Sequence, residues 1–287
     1  MTRFGSIEAG GTKFVLAIGD ENFKILEAEQ IPTTTPAETI ARTVDYFKSH
    51  PVDALAIGSF GPIDINQDSL TYGYVTTTPK SGWANTDLLG KIQSALQIPV
   101  AFTTDVNSSA FGESIVTGKD CLVYFTIGTG IGGGALQNGQ FIGGVSHAEM
   151  GHQLIKRHAA DLDFPGVCPF HGDCLEGVAA GPSLEARTGI RGEDLPLDHE
   201  VWDIQAYYIA QAAVNATLTH APGRIILGGG VMAQEHMMAR VRKQFVDLLS
   251  GYVQMPCSIE DYLVRPAVSN NGSATIGNFA LAAQKLL

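Results

Sequence analysis

The chain has 287 residues, 45% of them hydrophobic and 16% charged, with 33 glycines and a formal charge of −11. That length buries a large core and points to two domains, and the glycine content suits a turn-rich α/β enzyme rather than a disordered or coiled-coil chain. The acidic balance argues against nucleic acid or an anionic membrane as partner, and no apolar run reaches the roughly 18 residues a transmembrane helix needs.

Structure begins almost at once after Met1-Thr2-Arg3, so a soluble, cytoplasmic protein is expected. Phe4 to Ala9 reads as a strand, Gly10-Gly11-Thr12-Lys13 as a turn, Phe14 to Gly19 as a second strand and Lys24 to Gln30 as a third. Thr35, Pro36 and Glu38 have the spacing of a helix N-terminus, followed by Ile40, Val44 and Phe47 on one face. A short apolar strand (54–58), an amphipathic helix (87–96), a strand (100–103) and a helix opened by Asn107 complete the first half.

The pattern then restarts. Leu122 to Ile127 is a strand running into the glycine stretch 128–134, and Asn138-Gly139 suits a type I′ hairpin turn between 135–137 and 140–142. Strand, glycine turn, strand, turn, strand thus occurs near 4–30 and again near 122–142, a weak repeat in sequence. Helices are expected around 178–188 and 201–219, a strand over 224–227, a helix over 234–249, a strand near 263–265 and a helix over 273–286. The boundary between the halves falls near Gly118-Lys119-Asp120.

Three glycine turns follow apolar strands. Gly10-Gly11-Thr12-Lys13 and Gly128-Thr129-Gly130 can each turn bare backbone N–H groups toward a phosphate, with Thr12, Lys13 and Thr129 as added donors. Gly228-Gly229-Gly230 allows close backbone approach to a flat adenine or ribose. Any one of them alone could simply meet the φ requirement of a turn. The Walker pattern is absent, and the G-x-G-x-x-G lettering at 128–133 is followed by a strand and a hairpin rather than the helix of a dinucleotide fold.

Between the last two turns lie His152, Cys168, His171 and Cys174, with Glu149 before and Glu176 after. Two Cys and two His complete the tetrahedral shell of a structural zinc, and the two carboxylates stay available to a polyhydroxylated ligand. A Cys168–Cys174 disulfide is the bland alternative, one without a signal peptide to support it. Cys121 and Cys257, and the histidines at 50, 147, 158 and 236, have no such constellation and read as structural or solvated. Asp105, at the end of the strand 100–103, has two readings: a general base that takes a proton from a hydroxyl during phosphoryl transfer, or a helix cap. Glu8 either orients Mg²⁺ through water or holds the first turn.

The assembled motifs resemble the ROK family of sugar kinases (repressors, open reading frames and kinases) through nearly the whole chain. Glu8-Ala9-Gly10-Gly11-Thr12-Lys13 is similar to its first phosphate motif, Asp105-Val106-Asn107 to its catalytic segment and Thr126 to Gly134 to its second phosphate motif. Glu149-Met150-Gly151-His152, with the cluster ending in Cys174-Leu175-Glu176, is similar to its signature stretch, and Gly228-Gly229-Gly230 to its adenosine motif. The resemblance implies a two-domain α/β fold of the actin/hexokinase (ribonuclease H-like) type with a zinc-binding segment and with ATP and sugar in the cleft between domains. Residues 1–118, joined by a C-terminal helix over 273–287, would form the first domain, and 119–272 the second.

Carried over, Asp105 is the general base and Glu149, His152 and Glu176 contact sugar hydroxyls. His152, Cys168, His171 and Cys174 hold zinc, and ATP with Mg²⁺ rests on the Gly10–Lys13 and Gly128–Gly130 turns. A homodimer is a family expectation. Two departures bear on the substrate. Family glucokinases usually place Asn before the catalytic Asp, where this chain has Thr104, and their zinc segment usually carries C-x-C-x4-C in place of Cys168-x2-His171-x2-Cys174. Both resemble the fructokinase branch, so an ATP-dependent fructokinase is expected, with a kinase for mannose or glucose, or a non-catalytic sugar sensor, as alternatives. The family's repressors add an N-terminal helix-turn-helix, and a chain opening on the phosphate hairpin is not expected to act as one.

Overall fold

The computed structural model describes residues 2–269 and 272–287. In chain order its strands and helices are β1 (Phe4–Ala9), β2 (Lys13–Gly19), β3 (Ile25–Pro32), α1 (Pro36–Ser49), β4 (Ala54–Ser59), β5 (Tyr74–Val75), β6 (Thr86–Asp87), α2 (Leu88–Leu96), β7 (Val100–Thr104) and α3 (Asp105–Thr117). Then follow β8 (Leu122–Ile127), β9 (Ile131–Gln137), β10 (Gln140–Phe141), α4 (Leu175–Ala179), α5 (Gly181–Thr188), α6 (Val201–His220), β11 (Arg224–Gly228), α7 (Met237–Leu249), α8 (Ile259–Tyr262), β12 (Leu263–Val264) and α9 (Ser273–Gln284). None of the described helices is long and apolar enough to cross a membrane.

The chain packs as two compact units. One holds the residues up to Lys119, Phe141–Ala148 and Ala267–Leu287, and the other Asp120–Gln140 and Glu149–Pro266. Each is built on a five-stranded mixed sheet, in the orders β3-β2-β1-β4-β7 and β10-β9-β8-β11-β12. In both, the first strand pairs antiparallel with the next and parallel with a later one. The weak sequence repeat is therefore a repeat of topology. The sequence reading assigns all of 119–272 to one domain, whereas 141–148 and the chain from Ala267 onward pack with the first unit. Phe141 sits edge-on to Phe111 at 5.8 Å, the buried His147 accepts from Ile63 N through Nε2 at 3.1 Å, and Glu113 binds the amides of Ala267 and Val268. None of these contacts is local in sequence.

The apolar alternation of β1, β2 and β4 buries Ile7, Phe14, Leu16 and Ile57 with Trp83, whose Nε1 donates to Thr34 O at 2.8 Å. On this sheet α9 packs against β1 and β4 and lies against α3. Asn278 of α9 donates to Ser6 Oγ and Ile7 O and accepts from Ser108 Oγ, which fixes the helix to the sheet by polar contacts as well as apolar ones. Glu113, fully buried in α3, also accepts from Ser273 Oγ at 2.6 Å. A carboxylate with these donors is a clamp. Glu113→Ala is expected to lower stability by about 3 kcal/mol, because two amides and a hydroxyl lose a charged acceptor, and Glu113→Gln to lower it less. Urea midpoints compare the two.

Several element ends differ from the sequence reading. Thr104 rather than Asp105 ends up as the N-cap of α3, its Oγ1 accepting from Asn107 N at 3.1 Å, so the helix starts at Asp105 and not at Asn107. Gly132, Gly133 and Gly134 belong to β9 and not to a turn, with Gly133 packed under Met150. The α7 helix begins at Met237, so the Gly228–Gly230 turn does not lead directly into it. The hairpin at Asn138-Gly139 has both residues at positive φ (52° and 72°), as a type I′ turn requires.

Candidate functional site

In the first unit the parallel register β1–β4–β7 aligns Ala9 with Ser59 and Ser59 with Thr104. The first glycine turn and Asp105 therefore leave the same edge of the sheet, at the carboxyl ends of its parallel strands, the usual ligand edge of α/β sheets. Gly10 N donates to Lys13 O at 3.0 Å to close the turn, and Thr33 braces it by donating to Gly10 O and Thr12 O. Lys13 Nζ donates to Gln30 Oε1 at 3.0 Å. Asp105 is half-buried, with Oδ1 accepting from Val106 N at 2.8 Å. Since Thr104 does the capping, helix α3 does not require a carboxylate at 105.

Glu8 is on β1 of the same sheet, with β4 between it and β7. Burial first, and then the Asp105 charge, push the Glu8 carboxyl up to about 7 against the opposing pull of Lys13. Glu8 on β1 and Asp105 after β7 both sit near the carboxyl ends of the parallel strands, and carboxylate oxygens are the donors that Mg²⁺, a hard cation, takes. The folded state thus holds a proton on Glu8 that the unfolded chain releases between about pH 4.5 and 7. Stability falls as pH rises through that window. Glu8→Gln is expected to be more stable than the parent at pH 7.5 and equal to it near pH 4.5, which thermal melts at the two pH values check.

In the second unit His152, Cys168, His171 and Cys174 come together, one ligand atom from each lying within 4.8 Å of the others. Cys168 Sγ is 3.7 Å from Nδ1 of both His152 and His171, and Cys174 Sγ is 3.5 Å from His152 Nδ1. A tetrahedral zinc with ordinary Zn–S and Zn–N bonds would hold sulfur and nitrogen about 3.6 Å apart. The spacing and the donor chemistry both fit. The sulfurs are free thiols, not a disulfide. Burial pushes the Cys174 thiol up to about 11, and a bound dication would reverse this by holding it as thiolate.

A polar network missed by sequence reasoning holds the loop that carries these ligands. Arg187 pairs bidentately with buried Asp161, both contacts at 2.9 Å, and its guanidinium lies 4.1 Å above the Phe164 ring. Tyr208 Oη donates to the same carboxylate at 2.8 Å, and Arg157 donates to the carbonyls of Asp161 and Phe164 and to Asp173. The partners lie up to 47 residues apart, so no local pattern announces them.

His152 turns Nδ1 to the sulfurs and Nε2 toward Glu176 Oε1 at 3.9 Å. Glu176 Oε2 accepts from Ile131 N at 2.9 Å, against the Gly128–Gly130 turn. Exposed Glu149 caps the short 3-10 turn 150–152 without using its carboxylate for the cap. The Gly128–Gly130 turn is closed by Gly128 N donating to Gly130 O, and Gly181 N donates to Gly128 O. The Gly228–Gly230 turn joins it: Val231 N donates to Ile127 O, and Gly229, at φ +87°, lies where a Cβ would meet the Ile127 backbone at 2.4 Å. Of the residues expected at the site, Gly10, Gly11, Thr12, Lys13 and Asp105 share the edge of the first unit. The two later turns, Glu149, Glu176 and the Cys/His cluster share the second.

A sequence model of the ROK family matches residues 4–285. The chain is similar to a fructokinase of Lactococcus lactis subsp. cremoris, 63% identical over 279 residues, covering 97% of this chain and 96% of that one. It is also similar to a fructokinase of Streptococcus mutans, 62% identical over 284 residues and 97% of each chain. In structure it resembles the ROK hexokinase from Thermus thermophilus, with a TM-score of 0.80, 21% identity and 99% of each chain covered. That structural likeness shows the fold, the two-domain α/β actin/hexokinase type.

Proposed function

The chain belongs to the ROK family, and from that premise we propose that it is an ATP-dependent fructokinase, transferring the γ-phosphoryl group to the 6-hydroxyl of D-fructose. The observation that carries this reading is the near-full-length identity to two fructokinases. Thr104 and the Cys/His cluster support it. With its side chain capping α3, Thr104 leaves no amide at the position where family glucokinases usually carry one.

In this reading Asp105 accepts the proton of the attacking hydroxyl as its oxygen bonds to the γ-phosphorus and the bond to ADP breaks. Amides of the Gly10–Lys13 and Gly128–Gly130 turns bear the phosphate charge, and the Gly228–Gly230 turn faces the adenosine. Glu149, His152 and Glu176 orient the sugar hydroxyls. Glu8, acting through water, would help to orient the Mg²⁺ that comes with ATP, and that ion would supply neutralisation of the phosphate charge. His152, Cys168, His171 and Cys174 would hold a structural zinc. A cytoplasmic setting and a homodimer are part of the proposal.

ADP release with fructose, mannose, glucose and N-acetylmannosamine, in the presence of ATP and Mg²⁺, tests it. Turnover with fructose foremost is expected. Foremost turnover of mannose or glucose would move the chain to another hexose. Sugar binding without any turnover would make it a sensor.

A further inference from the structure

Two stretches that carry cluster ligands grip one residue, Ile131. Gly151, next to His152, lies so close to it that a Cβ would stand 1.7 Å from Ile131 O. Glu176, two residues past Cys174, takes the Ile131 N–H with Oε2 at 2.9 Å. Ile131 directly follows Gly130 and pairs with Ile127, so it closes the turn whose amides are read above as a phosphate cradle. The two stretches are also tied to each other, Leu175 N donating to Gln153 O at 3.0 Å. The remaining Glu176 oxygen faces His152 Nε2, the nitrogen turned away from the sulfurs. A histidine whose second nitrogen faces a carboxylate is the usual way in which a metal ligand is oriented from outside.

From these contacts we infer that Glu176 is a positioning residue that locks the Gly128–Gly130 turn to the Cys/His cluster, so that the filled cluster sets the nucleotide-phosphate site. This rests on the reading of that turn as phosphate-binding. A turn presents its amides to a phosphate at low cost only when it is already held in place. The charged acceptor on the neighbouring amide does that more strongly than a neutral one. Oε2 holds Ile131 N while Oε1 faces His152, and nucleotide binding measured without sugar isolates the first of these contacts.

The test is calorimetric binding of Mg·ADP, without sugar, to zinc-loaded and zinc-stripped protein carrying Glu176, Glu176→Ala or Glu176→Gln. Glu176→Ala is expected to raise the Kd at least about tenfold, the scale of one charged hydrogen bond. Glu176→Gln keeps a carbonyl for Ile131 N and is expected to restore most of the affinity. Zinc removal is expected to weaken the parent by a similar factor and Glu176→Ala little further, because the two changes break one linkage. Unchanged Mg·ADP affinity in Glu176→Ala, with a higher KM for fructose, would make Glu176 a sugar ligand only and overturn the inference. Losses that simply add would overturn the coupling. A parent protein that binds no Mg·ADP would overturn the reading of the turn itself. Should Glu176→Ala not fold, Glu176→Asp, which shortens the reach by one methylene, is measured in its place with the same expected rise.

Discussion

Asp105→Asn is expected to fold normally and to lower kcat by about two to four orders of magnitude, the usual contribution of a positioned general base. The expectation of normal folding comes from Thr104. The sequence leaves Asp105 open as a cap, but the cap hydrogen bond of α3 is made by Thr104 Oγ1. Asp105 Oδ1 accepts from the adjacent Val106 amide, and an asparagine carbonyl can accept that bond as well. Relief of the Asp105 charge also removes one of the two causes that raise the Glu8 carboxyl, so the variant should be no less stable near neutral pH. Steady-state kinetics with fructose and ATP, beside a thermal melt, separate the two effects. A folded variant with near-parent turnover would remove Asp105 from the chemistry. A variant that unfolds would return it to the structural role.

The second large effect concerns the Cys/His cluster. Chelation that strips the metal is expected to lower the melting temperature by roughly 5–15 °C and to abolish turnover, with both restored by added Zn²⁺. The loss falls short of the complete unfolding of small zinc domains. The loop is pinned a second time by Asp161, Arg187, Tyr208 and Arg157, contacts that survive without a cation. His171 is exposed, which gives a chelator access. Metal content by elemental analysis, measured beside the melt, makes the result decisive: an unchanged melt in metal-free protein would contradict a structural role.

What could be read from the sequence was what depends on short spacing. The ligand spacing at 168, 171 and 174, the Thr35 cap with Pro36, and the Asn138-Gly139 turn all rest on interactions within a few residues, and each is present in the fold. The repeat of strand and turn was legible because strand alternation and glycine mark it twice. The limits were equally physical. A run of glycines looks like a turn, yet 132–134 form strand paired with Tyr124 to Thr126 of β8, and Met150 packs where a side chain on Gly133 would stand. Thr104 and Asp105 both suit a helix N-terminus, and only backbone geometry chooses between them. Glu113, His147 and Asp161 find partners 26 to 160 residues away, beyond any periodic signal. Glu176 was legible as a carboxylate beside the cluster and, by resemblance, as a sugar contact, whereas its hold on Ile131 needed three dimensions.

The return of α9 to the first sheet has a consequence for how the chain is made. Ser6 and Ile7 leave the ribosome about 270 residues before their partner Asn278. The second unit, nearly continuous in sequence, has emerged in full before α9 appears, so it can close while the N-terminal sheet still lacks a helical cover on β1 and β4. During that interval the older half of the polypeptide carries an open apolar face and a Glu113 without its donors. Synthesis order and assembly order can thus be reversed for the two halves.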